Sequence, residues 1–142
     1  MTLFEVLSQY YPVEPADVEA LAAVSDTIHV RKKDLLIKQG SKSNHMYFVT
    51  GGLFRCMCEI NGNEDTLGFA TAGDPFVSVH SLAHDEPAAC SLQAIENSTV
   101  IAVRFDDFRR ILTTHSSLMK WWSTLLLEPV SYTHLTLPTK RI

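Results

Sequence analysis

The chain has 142 residues, 46% of them hydrophobic and 20% charged, with a formal net charge of -4. That length suits one domain with a real core, and the acidic balance provides no standing surface for nucleic acid or anionic lipid. The three cysteines, Cys56, Cys58 and Cys90, form no Cys-x-x-Cys pair, which argues against a disulfide scaffold and for a reduced, cytoplasmic setting.

The opening stretch, MTLFEVLSQYYPVEP, lacks the basic start and apolar centre of a signal peptide. No apolar run approaches the ~18 residues of a membrane span, so no membrane partner is expected. Leu3, Phe4, Leu7 and Tyr10 or Tyr11 recur at helical spacing until Pro12, which predicts a first helix. A second is expected from Pro15 to about Val24, with Val18, Leu21 and Ala22 as its apolar stripe.

From Asp26 the period changes. Ile28 and Val30 alternate, Leu35 and Ile37 follow, and Gly40 turns the chain. The basic run Arg31, Lys32, Lys33 reads as a solvated strand edge. HMYFVTGG is a short apolar run ending in a glycine pair. LFRCMCEI alternates, with Cys56 and Cys58 on one face, and Asn61-Gly62 is a strong hairpin signal. The return strand closes at Gly73-Asp74. CSLQAI and TVIAVRF, separated by Glu96-Asn97-Ser98, read as a further hairpin. Turn glycines at 40, 51/52, 62 and 73 recur roughly every eleven residues, as in an antiparallel sandwich or barrel and unlike a βαβ fold.

After Phe105 the helical period returns. Asp106 is the expected N-cap, followed by Phe108, Ile111 and Leu112. After a break around His115-Ser116-Ser117 come Leu118, Trp121 or Trp122, and Leu125. The predicted fold class is therefore mainly β with flanking helices: helices, a β-roll over about residues 26–105, then helices. The last stretch, VSYTHLTLPTKRI, follows Pro129 with no helical stripe. It resembles peptides produced when sequencing-adaptor DNA is read as protein, so residues 130–142 are expected to be a non-native tail on a domain of residues 1–129.

Five motifs in order carry a family resemblance: Ile37 to Gly40, Tyr47-Phe48-Val49, Gly51-Gly52, Gly62 with Glu64, and Gly73-Asp74. Over about residues 25–128 the chain resembles the cyclic-nucleotide-binding-like sensory domain of the Crp/Fnr transcription regulators. The resemblance implies a double-stranded β-helix, or jelly roll, followed by a dimerisation-type helix. It also implies a homodimer, a small-molecule effector, and DNA binding only through a helix-turn-helix domain that is expected to be absent from this chain.

In family members that bind cyclic AMP, a short helix opens with Gly-Glu, and its amides and a downstream arginine hold the cyclic phosphate. Alignment on Gly73-Asp74 and Ala94 puts the Gly-Glu pair on Val77-Ser78 and the arginine on Ala88, with Ala89 and Cys90 completing the cassette. Val and Ala offer no side-chain anion ligand, and Asp85 and Glu86 ahead of Ala88 repel one. Losing two charge-assisted anchors, each worth roughly 1.5–3 kcal/mol, weakens a phosphate by about two orders of magnitude or more. Ser78 still offers a hydroxyl, and the helix amides are expected to remain available. The resemblance further places Leu118, Trp121, Trp122 and Leu125 on the dimerisation helix. The two tryptophans point about 100° apart, one toward the roll and one toward a partner.

Other chemistry is weighed against that reading. His80 and His84 share a helical face near Asp85, Glu86 and Cys90, but no committed set of three or four metal ligands emerges, so no metal or cofactor is expected. No cysteine cluster precedes the first helix, as an iron–sulfur sensor of this family requires, and no axial haem ligand can be assigned. A metal-dependent cupin-like enzyme shares the roll, yet none of the six histidines forms His-x-His, and no Ser-His-Asp order is present. Enzyme activity is not expected. A stand-alone regulatory domain attached to something other than DNA binding is the alternative within binding proteins.

Overall fold

The change of period near Asp26 marks the entry into the roll. This computed structural model describes residues 1–127; Pro129 and the expected tail, 130–142, lie outside the described residues. Among those described, eight strands appear: β1 (Ser25–Val30), β2 (Leu35–Ile37), β3 (His45–Gly51), β4 (Leu53–Ile60), β5 (Asn63–Thr71), β6 (Pro75–Phe76), β7 (Ser91–Ala94) and β8 (Ser98–Arg104). They form two sheets, ordered β1-β8-β3-β6 and β2-β7-β4-β5, and every pairing is antiparallel. Only β4 and β5 follow one another within a sheet. Every other connection between these strands crosses to the opposite sheet, which is a jelly roll.

The expected hairpin of CSLQAI with TVIAVRF is therefore corrected. β7 pairs with β2 and β4, while β8 pairs with β1 and β3. The reversal at Glu96-Asn97-Ser98 carries the chain between sheets. Ser98 Oγ fixes the crossover by accepting from Leu53 N at 3.1 Å and donating to Glu96 O at 2.8 Å. The Asn61-Gly62 hairpin forms as predicted, with φ of 53° and 81°, as a type I′ turn requires. The basic run is also corrected. Lys33 has φ 79° and Lys33 N donates to Ala94 O, so Arg31–Lys33 belongs to the turn between β1 and β2 and not to a strand edge.

Five helices accompany the roll among the described residues: α1 (Leu3–Ser8), α2 (Pro15–Ala22), α3 (Val79–His84), α4 (Phe105–Thr114) and α5 (Ser116–Leu127). α1 stops earlier than its apolar spacing predicts. Its start carries a capping box, Thr2 with Glu5, which holds the Glu5 carboxyl below its ordinary range through hydrogen bonds from Thr2. Pro15 occupies the first turn of α2, where its missing N–H costs nothing. The N-cap of α4 is Arg104, not Asp106. Asp106 and Asp107 sit in the first turn, where their charge still favours the helix N-terminus.

Strand β3 explains how the layers join. Met46, Tyr47, Phe48 and Val49 are all buried, which no half-exposed strand shows. Tyr47 and Val49 face the roll interior with Phe54, Phe76, Leu92 and Val100. Met46 and Phe48 face the other way, into a second core built with Leu7, Leu21, Phe108, Leu118 and Trp121 from the helices. Phe48 and Trp121 meet with ring centroids 5.7 Å apart.

Gly52, with φ 92°, turns the chain from β3 into β4, and a Cβ there would collide with the Ser98 side chain and come within 2.7 Å of Ser98 Cα. Gly51→Ala meets nothing within 4 Å. Gly52→Ala is therefore expected to cost about 2–4 kcal/mol, from left-handed strain plus a backbone clash. Gly51→Ala should stay within about 1 kcal/mol of the parent. Urea denaturation of both variants checks the contrast, and equal midpoints would overturn it.

Candidate functional site

The stretch from the end of β5 to the start of β7 holds the residues that the sequence aligns with the family's phosphate cassette. Gly73-Asp74 opens it, but as a corner. Gly73 N donates to Val49 O, Val49 N donates to Asp74 O, and the Asp74 carboxylate accepts from Thr71 N at 2.8 Å. These bonds return the chain from β5 to β6, so the motif is retained for its turn geometry.

Val77 and Ser78 follow, both with no exposure at all, and α3 begins after them. Ser78 is the N-cap of α3. Its Oγ accepts from Ser81 N at 3.3 Å and donates to Ser81 Oγ at 3.0 Å. The hydroxyl expected to face a ligand is thus spent inside the protein. One of the first-turn amides expected to remain available, that of Ser81, is thereby engaged as well. Ser81, which neither periodicity nor motif singles out, is the hub. Its Oγ accepts from Ser43 N at 3.1 Å and donates to Glu86 O at 2.7 Å, tying α3 to the β2–β3 loop and to its own C-terminus.

α3 ends at Asp85 in the left-handed region, φ 53°, with Asp85 N donating to Ser81 O and Glu86 N to His80 O. Asp85 pairs with Lys42 at 3.2 Å on the surface. Ala88, where the family's arginine would stand, is 3% exposed. It is clamped by Ala88 N to Ser41 O and Gly40 N to Ala88 O, each 2.9 Å. Ala89 is half-buried and Cys90 fully buried. Val77 packs into the helical core, whereas Ala88, Ala89 and Cys90 pack into the roll interior, so the aligned positions are divided between two cores, and none of them is cationic.

His80 and His84 do share α3, but His84 is exposed and Cys90 lies inside the roll. Among the described residues no three His, Cys, Asp or Glu side chains come together as a metal would need. An open cleft of about 490 Å³ lies instead on the outer side of α3, where Leu82, His84 and Asp85 face Arg104, Phe105 and Arg109. Arg109 is the guanidinium that reaches α3. It donates to Leu82 O at 2.6 Å and lies 5.6 Å above the Phe105 ring, so α4 clasps the end of α3. The Asp106–Arg109 spacing is the sequence signal for an ion pair there, observed at 3.4 Å.

On α5, Leu118, Trp121 and Leu125 are buried against the roll and its neighbouring helices. Trp122 is half-buried and packs edge-on to Phe108, with centroids 5.3 Å apart. It covers its own domain and presents only part of its ring outward.

The three cysteines lie together inside the roll. Extending the β4–β7 register (Cys56 opposite Leu92, Met57 opposite Ser91) puts Cys58 opposite Cys90. All three are buried, and Cys58 Sγ donates to Ala89 O at 3.2 Å. Burial, then the neighbouring Cys90, pushes the Cys58 thiol up to about 11. A hydrogen bond with Cys56, then burial, raises Cys90 as well. Neutral thiols in an apolar setting are poor nucleophiles. At pH 8 a disulfide reagent should leave the folded protein unmodified while titrating three thiols after denaturation. A raised folded value means that this contribution to stability is complete below about 9 and is lost as pH rises toward 11, where the unfolded thiols ionise first. Cys58→Ala should flatten that part of the stability profile; an unchanged slope would show that Cys58 does not cause it.

No curated protein matches the chain. Solved structures do. The catabolite activator protein of Thermus thermophilus superposes with a TM-score of 0.76 at 19% identity, over 89% of this chain and 59% of that one. The sensor domain of the transcriptional regulator DNR from Pseudomonas aeruginosa gives 0.71 at 18% identity, over 89% and 91%. The regulatory subunit of a cAMP-independent protein kinase A from Trypanosoma brucei gives 0.72 at 15% identity, over 91% and 46%. The chain thus spans about three fifths of the Thermus protein, and at these identities the likeness concerns the fold. The family model for the cyclic nucleotide-binding domain matches residues 27–115, most of the roll and all of α4. With the jelly roll and its flanking helices in place, the chain belongs to the cyclic nucleotide-binding domain family, a sensory and regulatory fold.

Proposed function

We propose that this chain is the sensory and dimerisation part of a Crp/Fnr-like transcription regulator whose phosphate site has lost its charge. The observation that carries the reading is that the side chains at the aligned positions Val77, Ser78, Ala88, Ala89 and Cys90 are all uncharged and buried or half-buried. A cyclic phosphate needs a cation and free donors, and here apolar side chains and an internally bonded serine occupy those positions. Similar structures include a catabolite activator and the sensor domain of a transcriptional regulator, which supports the transcriptional assignment. Signalling would run through α4 and α5, which pack against the core on β3 and carry Leu118, Trp121, Trp122 and Leu125. DNA contact would belong to a separate helix-turn-helix domain; the net charge of -4 suits no phosphate-neutralising surface on this chain itself. No helix among the described residues is long and apolar enough to cross a membrane.

A second reading keeps the sensing role and replaces the output. Similar structures include kinase regulatory proteins, one of which is described as cAMP-independent. The domain would then regulate an attached or associated protein rather than a promoter.

Calorimetric titration with cyclic AMP or cyclic GMP is expected to show no binding tighter than the high micromolar range; a sub-micromolar constant would restore the nucleotide reading. In a gel shift against random duplexes at physiological salt, this 142-residue chain should select no sequence. Enrichment of a palindromic site would assign DNA binding to the chain itself.

A further inference from the structure

Helix α5 starts without a cap of its own. The residue before it, His115, is extended (φ -134°, ψ 99°), and its ring nitrogen lies 3.1 Å from Ile111 O and 2.9 Å from the Thr114 hydroxyl, both on the preceding helix. The first amides of α5 must find acceptors elsewhere. Leu118 N and Met119 N donate to His115 O. Ser117 N donates to a carboxylate 100 residues away, Asp17 of α2, at 3.3 Å. The same carboxylate oxygen accepts from Ser117 Oγ at 2.6 Å, and Ser117 Oγ in turn accepts from Glu14 N, just ahead of α2, at 3.0 Å. Ser117 is 7% exposed, so this three-bond clasp sits at the edge of the helical core.

Caps normally come from the residue preceding the helix. Here the cap comes from another helix, and it brings a negative charge to the positive end of α5. One turn further along α5 is Trp121, fully buried on Phe48 of β3. α5 is thus held at its start by α2 and in its middle by the roll. The two attachments are chemically independent: one polar and geometric, the other apolar.

We propose that Asp17 is a positioning residue that couples α2 to α5, so that displacement of α2 uncaps α5 and frees its first turns while the roll stays folded. The N-terminal helices then form a second input to α5, separate from the interior of the roll. The consequence for signalling rests on α5 being the output element. The coupling itself does not.

Hydrogen exchange on the full chain tests the proposal, with Asp17→Ala, Asp17→Asn, Ser117→Ala and the Asp17→Ala/Ser117→Ala double variant. Loss of the clasp should speed exchange of the amides from Leu118 to Leu125 by about tenfold, the scale of one lost cap. Amides of β3 and β8 should exchange as in the parent. Asp17→Asn, which still accepts a hydrogen bond without the charge, should recover part of the protection. Ser117→Ala, which keeps the bond from the residue 117 amide to Asp17, should accelerate exchange less than Asp17→Ala, and the double variant should fall short of the product of the two single effects because they share the hydroxyl–carboxylate bond. Unchanged exchange in α5 would overturn the proposal. So would equal acceleration of α5 and the roll, or failure of Asp17→Ala to fold, since each would make the clasp a support of the whole fold. No ligand or DNA enters the readout, so the transcriptional reading can fail without affecting this result.

Discussion

Strand β3 is the constraint on which the rest of the molecule depends. A strand with one solvated face can slide or fray at modest cost, but Met46–Val49 buries both faces and belongs to two cores at once. Its hydrogen bonds run to β8 along its length and to β6 at Tyr47 and Phe48. A one-residue slip would send Phe48 into the roll and Tyr47 into the helices, leaving a hydroxyl among apolar side chains. The register is therefore locked by both layers together, and the helices dock on the roll largely through residues of this one strand and of β8.

On the proposed reading, the cassette stretch keeps the shape of an anion site without its charge. Corner, short helix and clamped return strand are all present. Each is held by bonds internal to the protein: Asp74 to Thr71, Ser78 to Ser81, Ser81 to Ser43 and Glu86, Ala88 to Ser41. A buried hydroxyl left unbonded would be costly, and Ser78 and Ser81 satisfy one another instead. The raised thiols of Cys58 and Cys90 lie inside the roll, where all three buried cysteines pack as small apolar groups. The guanidinium of Arg109 reaches α3 from outside and bonds a backbone carbonyl. Positive charge therefore lies at the seam between α3 and α4 and not inside the roll.

Local chemistry is legible in the amino-acid order. The switch from helical to alternating period near Asp26, the return near Phe105, the type I′ pair Asn61-Gly62 and the turn glycines depend on neighbours a few residues away, and all appear where the sequence placed them. The family is legible too, because its motifs are turn and strand-end residues in a preserved order. The cassette residues can be aligned by position, though what their side chains do cannot be read that way. The Thr2–Glu5 capping box is a signal of the same local kind, a threonine and a glutamate three residues apart.

Most of the features that escape sequence reading depend on partners distant in the chain. CSLQAI and TVIAVRF look like any hairpin, since alternation does not say to which sheet a strand belongs; the pairing of β7 with β4 and of β8 with β3 decided that. The basic run reads as a strand, but Lys33 N bonds Ala94 O across the sheet and makes it a turn. Serine is the extreme case. Its hydroxyl reaches only about 3 Å, so Ser78, Ser81, Ser98 and Ser117 look alike in sequence. Their roles as cap, hub, crossover pin and clasp were chosen by whichever backbone or carboxylate the folded chain brought within that reach. Periodicity could say which residues would be buried, because burial follows from the pattern along one element. Which polar group Ser98 or Ser117 would meet was decided only when elements 45 to 100 residues apart packed together.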